Sequence, residues 1–217
     1  MARLADIDAV TLDANGTLVG LVDPVPKLER ILREHGVDRT PEAIRRAFET
    51  EGKVYAARAA ETHEPTAFAA LQRDCASVFL AEAGADSLDA GAFAPLYVGA
   101  FEFAPLPGVV DALRFLRRCG IELAVVANFD QTLPAWLERL RLRSWLAAVV
   151  TPGEAGAAKP DPRIFELALA RLGVEPQRAL HIGDGVADED GAHAAGMHFE
   201  WAPVSRAIAR WTATAAG

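Results

Sequence analysis

Ile7-Asp8-Ala9-Val10-Thr11-Leu12-Asp13-Ala14-Asn15-Gly16-Thr17-Leu18 is the stretch on which the fold turns. A short apolar run delivers an aspartate to the end of a predicted strand, and a Gly-Thr turn follows at once. An α/β fold presents a carboxylate in this way at the carboxyl edge of its sheet, where ligands bind. Position 15 matters as much as position 13. A second carboxylate there would form an acid/base pair with Asp13, and this chain has Asn15 instead.

Outward from that stretch, periodicity divides the chain into three parts. Residues 5–19 read as a strand and its turn, 21–104 as entirely helical, and 105–202 as strands alternating with helices. In the middle part, Pro24 and Pro26 precede Leu28, Ile31 and Leu32 at amphipathic spacing, ending at Gly36. Thr40 is a predicted N-cap with Pro41 at the first helical position, and Ile44, Ala47 and Phe48 mark one face. Pro65-Thr66 opens a helix carrying Phe68, Leu71, Cys75, Val78 and Phe79. Asp89 caps a last one with Phe93, Leu96, Tyr97 and Phe101. About four helices are enough for a small bundle.

In the last part, a helix with Val109, Leu113, Leu116 and Cys119 precedes a strand from Ile121 to Ala127. A helix over 131–142, a strand from Ala147 to Val150 and a helix from Pro162 to Gly173 follow. A strand from Ala179 to Gly183, a helix beginning at 190–195 and a final strand from Met197 to Trp201 complete the pattern. Such alternation predicts a Rossmann-like parallel sheet with right-handed crossovers. The expected organisation is an α/β core of residues 1–20 and 105–217, with a helical module, 21–104, inserted after strand one. The Ala-rich tail at 213–216 reads as frayed.

Composition narrows the function classes. A chain of 217 residues holds one medium domain, or a domain with an inserted module. With 51% hydrophobic and only 7% aromatic residues, the core should be aliphatic and alanine-rich. A net charge of −8 argues against a nucleic-acid or anionic-membrane partner. Cys75 and Cys119 do not make a disulfide framework and read as small core residues. The N-terminus runs straight into a strand pattern and no apolar run is long enough to span a bilayer, so a cytoplasmic protein is expected. Nothing in the sequence speaks to oligomeric state.

Each predicted strand of the α/β part runs into chemically able residues. Strand one ends at Asp13, and the next at Asn128-Phe129-Asp130. The third is followed by Thr151 and then Lys159-Pro160-Asp161. The fourth ends at Gly183-Asp184, with Asp188 and Asp190 just beyond. A parallel sheet brings these ends to one edge. Asp13, Asp184 and Asp188 would then crowd together, which like charges resist unless a cation intervenes. Mg²⁺ prefers a few carboxylates plus water and phosphate oxygens. Lys159 adds a point charge suited to phosphate.

Taken singly, these residues have plainer explanations. A lone aspartate after a strand is usually a turn or cap. Gly183-Asp184-Gly185 lacks the third glycine of a dinucleotide fingerprint. His181 lies inside a strand and reads as a core or supporting residue. His35 and His63 read as exposed helix positions and His193 as a surface residue, while His198 is unassigned. No Ser-His-Asp or Cys-His arrangement stands out.

The joint order resembles the haloacid dehalogenase superfamily over nearly the whole chain. Asp13-Ala14-Asn15-Gly16-Thr17 is similar to its first motif, and Asn128 lies at its second. Lys159-Pro160-Asp161-Pro162-Arg163-Ile164-Phe165 resembles its third. His181-Ile182-Gly183-Asp184-Gly185-Val186-Ala187-Asp188, running into Gly191-Ala192 and Ala195-Gly196-Met197, resembles its fourth. The helical insertion looks like the family's cap of the first type.

The resemblance implies Mg²⁺-dependent hydrolysis of a small phosphorylated metabolite at the seam of cap and core. Asp13 would be the nucleophile that becomes an aspartyl-phosphate. Asp13, the Asn15 carbonyl, Asp184 and Asp188 would hold Mg²⁺, with Asp188 preferred to Asp190 by spacing. Lys159 would stabilise the nucleophile and the transferring group, and Gly16, Thr17, Ala127 and Asn128 would bind phosphate oxygens. Lys53, Tyr55 and Arg58 are cap residues near that seam, with a solvated helix face as the plainer account of Lys53 and Arg58.

Two positions depart from the family pattern. Its phosphatases carry an aspartate as general acid/base where this chain has Asn15, and a Ser or Thr hydroxyl where it has Ala127. Loss of a general acid/base costs about 100- to 10,000-fold in rate. Two alternatives stay open on that account: a catalytically impaired protein binding a phosphorylated ligand or a protein partner, and a 2-haloacid dehalogenase-type hydrolase.

Overall fold

The computed structural model describes residues 4–58 and 65–213. The chain runs β1 (Ala9–Leu12), β2 (Val19–Leu21), α1 (Val25–Glu34), α2 (Pro41–Arg58), α3 (Pro65–Glu82), α4 (Ala90–Val98), β3 (Phe103–Pro105), α5 (Val109–Arg118), β4 (Glu122–Val126), α6 (Leu133–Arg139), β5 (Ala148–Val150), α7 (Pro152–Ala155), α8 (Arg163–Leu172), β6 (Ala179–Gly183), α9 (Val186–Ala194), β7 (His198–Trp201) and α10 (Val204–Ala213). Two compact units result: Met1–Gly20 with Ala104–Gly217, and Leu21–Phe103.

The first unit is built on a parallel five-stranded sheet of order β5-β4-β1-β6-β7. Every residue of β1 is buried, because a parallel sheet is covered on both faces, and its central strand is apolar but for Thr11. Leu12 lies opposite Val125 of β4 and Ile182 of β6. From β1 the chain steps through β4 to β5, then crosses back to β6 and continues to β7. The order therefore reverses between β1 and β6. With right-handed crossovers, the connections leaving those two strands pass to opposite faces, and a crevice opens at their carboxyl ends. Asp13 and Asp184 follow directly on these strands. Val126, Val150, Ile164, Phe165, Ala168, Leu169, Ala192 and Met197 form a core cluster under α8 and α9.

The second unit contains α1–α4, with α2 packed on α1 and α3, and α3 on α4. Leu28, Leu32, Ile44, Leu71, Phe79, Phe93 and Tyr97 fill its core. The Thr40 hydroxyl accepts the Ala43 N–H at 3.3 Å, and the Asp89 carboxylate accepts that of Ala92 at 2.8 Å, so both predicted caps are in place. Glu51 is buried beside this core and accepts from the Tyr97 hydroxyl at 2.7 Å. Lys53 and Arg58 are exposed, Arg58 pairing with Asp74 at 2.8 Å, and Tyr55 packs against the core.

Several expectations are corrected. Residues 19–21 and 103–105 are strands that pair with each other, where the sequence reads as turn and helix. α9 begins at Val186 rather than at 190, because Gly185 ends the loop and the acidic run that follows forms the first helical turn. α7 and α10 are additional helices. Cys75 is buried, but Cys119 is exposed because it caps α5, beyond the Val109/Leu113/Leu116 stripe. Leu96 is exposed, since Phe93, Ala94 and Tyr97 carry the buried face of α4. His63 and the tail beyond residue 213 lie outside the described residues. No helix among the described residues is long and apolar enough to cross a membrane.

Candidate active site at the carboxyl edge of the sheet

Strand β1 ends by placing Asp13 beside the lysine that follows α7. Lys159 Nζ lies 2.5 Å from Asp13 Oδ1 and 2.6 Å from Asp188 Oδ1, and all three side chains are buried. A single ammonium thus bridges two carboxylates. Asp188 is held from behind as well. His181 Nε2 lies 2.9 Å from Asp188 Oδ1, Thr11 Oγ1 lies 2.8 Å from His181 Nδ1, and the Gly185 N–H donates to Asp188 Oδ2 at 3.1 Å. Thr11 and His181 are register partners across β1 and β6, so the sheet itself aligns them.

Burial alone would raise the Asp188 pKa, but the His181 hydrogen bond and the Lys159 ammonium outweigh it and bring it down to about 2. For Asp13 burial prevails over the attraction of Lys159, and the Asp188 charge adds to it, so its pKa rises to about 6. His181, wholly buried, is pushed below the usual histidine range by desolvation. As a neutral ring it donates from Nε2 to Asp188 and accepts the Thr11 hydroxyl proton at Nδ1.

Asp184, on the exposed lip of β6, completes the cluster. Carboxylate oxygens of Asp13, Asp184 and Asp188 all lie within 4.8 Å of one another. Two glycines make this approach possible. Gly16 has φ +86°, a conformation L side chains rarely adopt, and a Cβ there would collide with the Asp184 carboxylate. At Gly183 a Cβ would collide with the Asp188 carboxyl. Asp190, the other acid considered, is exposed and outside this group.

The chemistry of the donor set fits a divalent cation. Three carboxylates face one ammonium, a surplus of two negative charges when all are ionised. The Asn15 carbonyl, beside Asp13 in the chain, accepts no hydrogen bond among the described residues. Hard oxygen donors around uncompensated charge are what Mg²⁺ selects.

The remaining predicted site residues are distributed unevenly. Asn15 is exposed on the loop after Asp13. Ala127 is buried, with its N–H given to the Val150 carbonyl at 3.1 Å. The Asn128 side chain braces the Lys159 backbone, donating from Nδ2 to the Lys159 carbonyl at 2.9 Å and accepting the Lys159 N–H at Oδ1 at 2.8 Å. Thr17 is wholly buried, and its hydroxyl has no partner among the described residues. Sequence reasoning missed two features: the Asn128 brace and the contribution of Thr11. A threonine in an otherwise apolar strand was the available signal for the latter.

This fold is a parallel α/β core with a helical unit inserted between β2 and β3, and its candidate site is a cluster of carboxylates around one lysine. The haloacid dehalogenase-like hydrolase family matches residues 7–196, and the chain belongs to it. It is 32% identical over 207 residues to the human haloacid dehalogenase-like hydrolase domain-containing protein 3, covering 91% of this chain and 82% of that one. The match to the mouse counterpart is 44% identical but spans 45% of this chain and only 39% of the relative. Similarity to the phosphoglycolate phosphatase of Caulobacter vibrioides is 32% over 91% of this chain and 80% of the relative. A magnesium-bound hydrolase of the same superfamily from Bacillus subtilis shares the fold at a TM-score of 0.69 and 18% identity, covering 90% of this chain and 88% of that one. A dehalogenase shares it at 0.66 and 23%, covering 89% and 84%.

Proposed function

We propose that this hydrolase cleaves the phosphoryl group from a small phosphorylated metabolite, with Asp13 as nucleophile. The observation that carries the reading is the cluster itself: one buried ammonium set against three converging carboxylates at the topological switch point of the sheet. Lys159 holds one oxygen of Asp13 and leaves the other to attack phosphorus. The P–O bond to the leaving group breaks as the bond to Asp13 forms, and water then hydrolyses the resulting aspartyl-phosphate. Asp13, Asp184, Asp188 and the Asn15 carbonyl would hold Mg²⁺, which when bound offsets the surplus charge and draws electron density from the phosphoryl oxygens. Asn128 keeps the Lys159 backbone in place, while His181 and Thr11 keep Asp188 ionised and oriented. The relative named as a phosphoglycolate phosphatase supports a phosphate substrate, and the net charge of −8 disfavours a polyanionic one.

The test is phosphate release from p-nitrophenyl phosphate with Mg²⁺ and with EDTA, on the natural chain and on Asp13→Asn. Turnover is expected only with metal and only with Asp13. Turnover that survives Asp13→Asn overturns the proposal.

A further inference from the structure

We propose that the site accepts phosphorylated compounds whose leaving group departs without a proton: acyl phosphates, phosphoanhydrides, and enol or aryl phosphates, rather than alkyl phosphate esters. This rests on the phosphoryl-transfer reading above and narrows its substrate class. Breaking the P–O bond sends an electron pair onto the leaving oxygen. An alkoxide, with a conjugate acid near that of water at about 16, cannot leave at neutral pH unless a proton is delivered to it. A carboxylate (about 4) or a phenolate (about 10) can leave as the anion.

Among the described residues of the α/β unit, the groups set against Asp13 or following it in the chain offer no such proton. Asn15 presents a carboxamide, which donates a hydrogen bond but does not ionise. Lys159 is spent on Asp13 and Asp188, at 2.5 and 2.6 Å. His181 is wholly buried, with its two ring nitrogens on Asp188 and Thr11. Asp184 and Asp188 belong to the carboxylate cluster. Thr17 has only an alcohol, and it is buried.

The first step therefore balances with the anion as leaving group: Asp13 oxygen to phosphorus forms, phosphorus to leaving oxygen breaks, and no proton moves. In the second step water oxygen to phosphorus forms, phosphorus to Asp13 oxygen breaks, and the water's proton passes to solvent, because Asn15 cannot take it. Phosphoenzyme formation then outruns its hydrolysis, and the leaving group appears in a burst stoichiometric with the chain.

The experiment is rapid-quench kinetics on the Mg²⁺-loaded chain with acetyl phosphate, p-nitrophenyl phosphate and glycerol phosphate. Leaving-group release and the intact mass of the protein, which reports a phosphoryl group on Asp13, are both read. Acetyl and p-nitrophenyl phosphate are expected to give the burst and the mass increase, and glycerol phosphate neither. Asn15→Asp should accelerate phosphoryl transfer from glycerol phosphate by about 100- to 10,000-fold and from acetyl phosphate less than about tenfold. Glycerol phosphate modifying the natural chain within about tenfold of p-nitrophenyl phosphate overturns the inference and leaves the phosphatase reading standing. Equal acceleration of all donors by Asn15→Asp also overturns it. Acetyl phosphate that leaves Asp13 unmodified removes the underlying reading, and the inference with it. Should Asn15→Asp fail to fold, the donor series on the natural chain decides alone.

Discussion

Replacing Lys159 by methionine, which keeps an unbranched side chain one atom shorter and removes the charge, isolates what one ammonium contributes to this site. The lysine side chain is only 4% exposed and contacts two carboxylates that are 10% and 5% exposed. Removing one partner of a buried ion pair costs about 3–5 kcal/mol. Asp13 and Asp188 can relieve part of this by taking up a proton, so the low end, about 3 kcal/mol, is expected. A chain of this length loses about 2–4 °C of melting temperature per kcal/mol, giving a drop of about 6–12 °C in EDTA. All four tryptophans, Trp136, Trp145, Trp201 and Trp211, lie in the α/β unit, so their fluorescence follows that unit alone. Mg²⁺ should raise the variant's melting temperature by more than the natural chain's, because the surplus negative charge grows when the ammonium is gone. A drop in EDTA of less than about 2 °C, the shift expected from one kcal/mol or less, would refute the reasoning. So would identical Mg²⁺ shifts in the two proteins.

Asn128→Ala removes both braces on the Lys159 backbone; with Asn128 exposed, stability should fall by only about 1 kcal/mol in urea melts. Turnover of p-nitrophenyl phosphate should fall by up to about 100-fold, the cost of misplacing a reacting group by about 1 Å. Gly16→Ala, strained at φ +86° and pressed on the Asp184 carboxylate, should weaken Mg²⁺ binding by about 10- to 100-fold in calorimetric titration. Tyr97→Phe strips a donor from buried Glu51 and should cost the helical unit about 1.5–3 kcal/mol, read by far-UV circular dichroism in urea.

How much of this was legible in the sequence follows from the range of each interaction. Strand β1 and its aspartate were readable because an apolar run ending in a polar turn is a local pattern. β6 was read with the bounds the structure gives. The pairing of Val19–Leu21 with Phe103–Pro105 was not, because two three-residue strands join segments more than 80 positions apart and carry no periodicity of their own. α9 hid its start for another reason. Residues 186–190 look like an acidic loop, yet carboxylates are favoured in the first turn of a helix, and Asp188 there accepts the Gly185 N–H. α10 did display a signal, the buried stripe Val204, Ala207, Ile208 and Trp211 at helical spacing. At the site, residue identities were legible and their partners were not. Thr11 meets His181 only through the register of two strands, and Asn128 meets Lys159 across 31 positions that include strand β5.

Asn15 does not by itself separate a phosphatase from a 2-haloacid dehalogenase, since a halide also leaves unprotonated. The ligand preference of a cation held by the carboxylates does separate them. Two unit charges about 5 Å apart at an effective dielectric of about 20 repel by about 3 kcal/mol. A haloacid carboxylate brought to a site with three acids and one ammonium meets that repulsion, and so does a phosphate ester. A divalent cation relieves it for both. Its preference for hard oxygen ligands then aligns a phosphoryl group through its own oxygens, whereas the carbon bearing a halogen offers it nothing to hold. On the proposed reading the cluster is therefore matched to a phosphoryl group. 2-Chloropropionate is expected to release no chloride, with or without EDTA, under conditions where acetyl phosphate labels Asp13. Chloride release in EDTA, lost in Asp13→Asn, would show that the surplus carboxylates do not govern substrate choice.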